Sequence, residues 1–217
     1  MYRKDDDNDN NNLFEFIDSI GSEVNKKKHI VIFYEESERA RNIEFRFIKN
    51  GLLKNEHCIY TVAEEGGEEG TKEDVISFIE REMNDYGIDV YKYNNKNDLL
   101  HIYQTPYPLA NQKDIINNRE IILKTLLAGL KPPFRIANNT LIPELKTREQ
   151  IRANIEIERK IRYDFNNNRF PGSFMCSYHI KNIISDIRGE WMRNMLLNHQ
   201  NVIFLPKLSN GLVLNLS

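Results

Sequence analysis

Cysteine is scarce in this 217-residue chain, which holds only Cys58 and Cys176. No Cys-x-x-Cys pair occurs, so the zinc-ribbon and thioredoxin-like signatures are absent. Both thiols sit inside apolar, strand-like runs and read as buried residues of a reducing compartment. No apolar run approaches the roughly 18 residues that cross a bilayer. The polar N-terminus lacks the apolar centre of a secretory signal. A soluble, cytoplasmic protein without a membrane partner is the expectation. An excess of charge is missing too. The formal charge of −2 comes from MYRKDDDNDNNN at residues 1–12, and the remainder carries 28 bases against 28 acids. Such a body has no overall attraction to phosphates, so nucleic acid is not an expected partner. Lys26-Lys27-Lys28 reads as a solvated lead-in to a strand.

Glycine and lysine are absent at one informative place. Residues 29–65 read as a buried strand (HIVIFY), a helix, a second buried strand and the paired acids Glu64-Glu65. Between the first strand and its helix stands Glu35-Glu36-Ser37-Glu38-Arg39. A loop that cradles phosphates needs convergent backbone N–H groups, glycines that allow close approach, and a lysine. Carboxylates there would repel a triphosphate, by roughly 4 kcal/mol per pair at about 4 Å and an effective dielectric near 20. They also place negative charge at the helix N-terminus, where it stabilises the helix. Conventional ATP hydrolysis is not expected. No Gly-x-Ser-x-Gly elbow offers a nucleophile. The five histidines have no i, i+4 pair, and Cys176, His179 and His199 are the distant residues that could converge on a metal. The expectation is a non-catalytic protein with no catalytic residue, no metal and no cofactor.

What is present is an alternation of strands and helices. Residues 1–12 are low-complexity and expected to be disordered. Residues 13–28 form a lead-in helix or linker, and 29–217 a single domain. Strands are expected at Ile30–Tyr34, Cys58–Ala63, Val90–Tyr93, Leu99–Tyr103, Phe134–Ala137, Ser173–Tyr178, 201–205 and Leu212–Leu216. Helices are expected at Glu36–Lys49, stopped by Gly51, from a Thr71 cap to Tyr86, at 111–130, at Thr147–Phe165, and through Ile184, Ile187, Trp191 and Met195. Continuous apolar runs joined by helical crossovers imply a mainly parallel sheet covered on both faces.

Four stretches carry a family resemblance: His29-Ile-Val-Ile-Phe-Tyr34; Phe47-Ile-Lys-Asn-Gly51-Leu52 with Glu56-His-Cys-Ile-Tyr60; Cys176-Ser-Tyr178; and Asn198-His199-Gln-Asn-Val-Ile203. In order and spacing they resemble the MEDS domain family, the sensory domain named for methanogen and methylotroph proteins and for DcmR. They span about residues 25–206. Family members often carry an acid where this chain has His179, and a proline where it has Gln200. The resemblance implies a three-layer α/β fold of the RecA/KaiC-like kind, with a mainly parallel central sheet, helices on both faces and no phosphate loop. It also implies sensing of a small molecule.

In open parallel sheets, ligands bind beyond the C-terminal ends of the strands. That edge supplies the candidate ligand contacts: Tyr34, Glu35, Glu64, Glu65, Asn138, Tyr178 and His179. The tyrosines would offer apolar faces with hydroxyl handles to a small, partly apolar molecule in the former nucleotide cleft. His199 follows Met195 by four residues and reads as a structural residue near a helix C-terminus. Arg135 and Arg169 read as solvated surface charges. Two alternatives stand beside the sensor: a self-assembling interaction scaffold, and a degenerate nucleotide binder. Output would pass through homo-oligomer formation or a separate signalling protein.

Overall fold

The computed structural model describes residues 6–21, 27–63, 74–105, 121, 123–139, 145, 147–183, 188–207 and 211–216. Seven strands make one sheet: β1 (His29–Tyr34), β2 (His57–Ala63), β3 (Leu100–Thr105), β4 (Phe134–Asn139), β5 (Gly172–His179), β6 (Asn201–Leu205) and β7 (Leu212–Asn215). Their order is β3-β2-β4-β5-β1-β6-β7. All pairings are parallel except β6 with β7. The helices are α1 (Asp6–Ser19), α2 (Ser37–Leu53), α3 (Val75–Asp85), α4 (Arg148–Asn166) and α5 (Arg188–Asn198). Residues 123–127 are also helical. This is the three-layer, mainly parallel α/β architecture that the resemblance implies.

Strand alternation divides the core. Ile30, Ile32 and Tyr34 of β1, with Met175 of β5, face α1, α2 and α3. Val31 and Phe33 of β1, with Phe174, Cys176 and Tyr178 of β5, face α4 and α5. Successive side chains on a strand point to opposite faces, so a fully buried strand must be apolar throughout. Every residue of β1 is buried.

Several elements differ from the sequence expectation. α1 starts at Asp6 and so takes in most of the acidic segment, while Leu13, Ile17 and Ile20 anchor it to the core. α2 does not stop at Gly51. It runs through it to Leu53, and Asn55 turns the chain with φ 58°. A Cβ at Gly51 would lie 2.6 Å from Cys58 Sγ and 2.8 Å from Arg135 Cδ, so close packing, not helix termination, requires glycine there. The cap of α3 is Asp74, whose side chain accepts from the Ile76 amide; Thr71 lies outside the described residues. Val90–Tyr93 is not a strand, since Tyr91–Lys96 form a π-helical turn. The expected helix over 111–130 is described only at 121 and from 123, and Ile184 and Ile187 lie outside the described residues.

Arg135 is a correction of another kind. It is fully buried rather than solvated. Its Nε donates to Glu56 Oε2 at 2.8 Å, and its Nη atoms donate to the carbonyls of Phe47 (2.8 Å) and Ile20 (3.1 Å). A buried guanidinium persists only when its donors are met in this way. One side chain thereby ties α1, α2 and the start of β2 to β4. Arg169 lies over the Tyr163 ring, 5.0 Å from its centroid.

Candidate functional site

At the C-terminal edge of the sheet, the two expected tyrosines do not share a face. Tyr34 and Tyr178 are both buried, but they face opposite sides of the sheet. Tyr34 meets the His179 ring edge-on at 5.2 Å. His179 uses its Nδ1 to accept from the Lys181 amide. Glu35 donates its own amide to Leu205 O and accepts from the Lys207 amide at 2.7 Å. Only Glu35 and Glu36 separate β1 from α2. That short turn is fastened to the end of β6 by Glu35, by the Arg39 guanidinium donating to Pro206 O, and by Lys207 with Glu36 at 3.6 Å. Asn138 stands in β4, between Thr61 of β2 and Cys176 of β5. Glu64 and Glu65 lie outside the described residues.

A denser set of chemical groups lies between the sheet and α4. His29 opens β1, Cys176 is central in β5, and His199 occupies the short link from α5 to β6. β1 and β5 pair with His29 opposite Phe174 and Val31 opposite Cys176, which puts His29 and Cys176 on one face. Glu158 comes from the buried stripe of α4, which also contains Ile151, Asn154, Ile155 and Ile161. A capping box between Thr147 and Gln150 fixes the start of that helix. Glu158 Oε2 lies 3.2 Å from His199 Nε2, 3.5 Å from His29 Nε2 and 3.8 Å from Cys176 Sγ. One ligand atom from each of the four residues lies within 4.8 Å of all the others, and all four residues are buried.

Surrounding contacts orient this cluster. His199 Nδ1 is 2.8 Å from Met195 O. A carbonyl only accepts, so the Nδ1 proton is fixed there and Nε2 faces Glu158. Tyr178 donates its hydroxyl proton to Glu158 Oε1. Asn154 Nδ2 donates to Tyr178 Oη at 2.8 Å, and Trp191 Nε1 donates to Asn154 Oδ1 at 2.7 Å. A buried chain of polar groups therefore runs from Trp191 to the cluster. Burial by itself would raise the Glu158 carboxyl, but the charge and hydrogen bonds of His199 and His29 outweigh it and hold Glu158 well below the usual carboxylate range. Burial, then the neighbouring Glu158 charge, pushes the Tyr178 phenol well above its ordinary value.

His29 and His199 also border a pocket of about 180 Å³. Its walls come from the last turns of α4 (Arg162, Phe165 and Asn166), from Asn198 and Gln200, and from Leu216 after β7. At about 30 Å³ per water, this is room for roughly six waters or one small organic molecule. It lies at the N-terminal ends of β1 and β6, the opposite edge of the sheet from the one expected. Among the described residues that line it, Arg162 supplies the one permanent positive charge, and Phe165 and Leu216 the apolar surface.

Sequence reasoning named Cys176 and His199 only within a metal set that included His179, and it placed neither His29 nor Glu158 in a site. The structure turns His179 away and brings in those two. The available signal was Glu158 itself, a carboxylate at i+7 from Ile151 and i−3 from Ile161 on an inward helix stripe.

The chain belongs to a sensory-domain family. The family described as "MEthanogen/methylotroph, DcmR Sensory domain", or MEDS, matches residues 28–200. Three of the cluster residues, His29, Cys176 and His199, fall inside the stretches that carry the resemblance. Among solved structures, the chain is similar to a KaiC-like protein from the hyperthermophilic archaeon Pyrococcus horikoshii, with 16% identity and a TM-score of 0.49 over 87% of this chain and 77% of that one. No curated protein matches it. Among the described residues, no helix is long and apolar enough to cross a membrane.

Proposed function

We propose that this chain is a non-catalytic sensory domain that takes up one small, partly apolar molecule in the pocket beside His29 and His199, and signals through a separate protein. The observation that carries the reading is the pocket's composition. An apolar portion of the ligand would lie against Phe165 and Leu216, and a polar or anionic end would meet Arg162 and the amides of Asn166, Asn198 and Gln200. Small-molecule sites combine such apolar walls with a few orienting polar groups. The family's sensory character agrees with this. The two-residue β1–α2 turn, filled by Glu35 and Glu36 and bonded to the β6 end, argues against the nucleotide-binding alternative and against a ligand in the former nucleotide cleft.

The test is a thermal-shift series on the full chain with short-chain carboxylates, alcohols and thiols. A ligand at one hundred times its Kd adds about 2.7 kcal/mol, worth roughly 5–10 °C in a chain of this size. Leu216→Trp, which fills the pocket from its rim, should remove the response to every probe. Arg162→Gln should reduce the response to carboxylates while sparing alcohols. A full response retained in Leu216→Trp, or no response in the wild type, would move the sensing site elsewhere.

A further inference from the structure

We propose that His29, Glu158, Cys176 and His199 form a tetrahedral site for a divalent first-row transition metal of the zinc class. The site is a different assignment from the small-molecule pocket that it borders, and it stands whether or not that pocket takes a ligand.

The geometry is the first argument. Zinc bonds of about 2.0–2.2 Å to nitrogen and oxygen and about 2.3 Å to sulfur place tetrahedral ligand atoms about 3.3–3.6 Å apart. The separations from Glu158 Oε2 are 3.2 Å to His199 Nε2, 3.5 Å to His29 Nε2 and 3.8 Å to Cys176 Sγ. Shifts of a few tenths of an ångström would bring these atoms into coordination, and the 4.8 Å bound on every pair keeps the remaining edges within reach of side-chain adjustment. Two imidazoles, a carboxylate and a thiolate form the mixed nitrogen, oxygen and sulfur set that zinc accepts.

The second argument is orientation. Metal-binding histidines donate their other ring proton to a carbonyl or carboxylate, and ligating carboxylates are themselves hydrogen-bonded. His199 meets the first condition through Met195 O, and Glu158 meets the second through the Tyr178 hydroxyl. The Asn154 and Trp191 contacts brace Tyr178 in turn.

The third argument is charge. Neutral imidazoles, a carboxylate and a thiolate sum to −2, which a divalent cation cancels inside the core. On binding, metal–sulfur and metal–nitrogen bonds replace the Cys176 S–H bond and the Nε2–H bonds of imidazoles that carry one, and those protons leave to solvent. Cys58, the other thiol, lies in the opposite core layer beside Arg135 and Gly51 and takes no part.

The experiment is a titration of chelator-stripped full chain with Co²⁺, followed by displacement with Zn²⁺, with no small molecule added. One equivalent of Co²⁺ should produce tetrahedral visible absorption together with a thiolate-to-cobalt charge-transfer band, and Zn²⁺ should abolish both. Cys176→Ser should lose the charge-transfer band, while Cys58→Ser keeps it. Tyr178→Phe, which leaves all four donors in place, should weaken Zn²⁺ binding by about 10–100-fold. Wild-type protein that binds Co²⁺ without a thiolate band, or does not bind it, overturns the proposal without any variant. A band that survives in folded Cys176→Ser overturns it as well. A metal response with no probe response in the thermal-shift series would refute the sensor reading alone.

Discussion

Replacing Arg135 by methionine should be among the most damaging single changes in this protein. Methionine can keep the stack on Phe47, where the guanidinium carbon lies 4.8 Å from the ring centroid. It cannot satisfy Glu56, which is 1% exposed and receives the Arg135 Nε at 2.8 Å. Stranding one member of a buried ion pair costs about 3–5 kcal/mol. The Phe47 and Ile20 carbonyls also lose a charged donor. Ile20 O keeps Lys54 Nζ, so its share is small. The expected total is about 4–6 kcal/mol, against a whole stability of about 5–15 kcal/mol for a typical domain. Equilibrium urea denaturation measures it directly. The double variant Arg135→Met with Glu56→Leu removes the stranded charge and should recover at least about 2 kcal/mol relative to Arg135→Met alone. A loss below about 1 kcal/mol in Arg135→Met, or a double variant that costs the sum of the two singles, would refute the reasoning.

Two further outcomes concern other buried polar groups. Burial raises the Glu44 carboxyl, against the opposing pull of the Ser177 and Tyr60 hydroxyls and of Arg41, the groups that face it from β5, β2 and its own helix. Its contribution to stability is fully present below the unfolded carboxylate value and falls as pH rises toward the folded one. Glu44→Gln should therefore gain on the wild type as pH increases above about 4.5, and denaturation midpoints that stay parallel across pH would contradict this. Asn154→Ala removes two hydrogen bonds and leaves the Trp191 indole N–H without its acceptor, at an expected cost of about 2–4 kcal/mol. Trp191 is the chain's single tryptophan, so its emission should shift in the same variant; unchanged emission and stability would show that the polar chain is unimportant.

The fold was largely legible because strands buried on both faces must be apolar, and VIFY, CIYTV and VIFL are. Element ends were less legible. Gly51 has the composition of a helix stop, yet it serves a contact with Cys58 and Arg135, residues 7 and 84 positions away. Val90–Tyr93 has the apolar and aromatic content of a strand, yet forms a helical turn. The candidate site was legible in pieces. His29, Cys176 and His199 each lay in a stretch that carried the family resemblance, but their convergence depends on the β1–β5 register and on how α4 docks. The rule that sends ligands to the C-terminal strand ends points to the other edge of the sheet, where Glu35, Arg39 and Lys207 fasten the β1–α2 turn to the end of β6. Periodicity marks where a helix faces inward, but not which distant side chains await it there.

The four cluster residues come from positions 29, 158, 176 and 199, so no short stretch of the chain can assemble the site on its own. A zinc finger gathers its ligands locally and folds around them; here the first donor must wait until the last has been synthesised and both flanking helices have settled. A nascent chain ending before His199 would lack the constellation however long it lingered. Occupancy of the site would thus report that the stretch from His29 through His199 has come together.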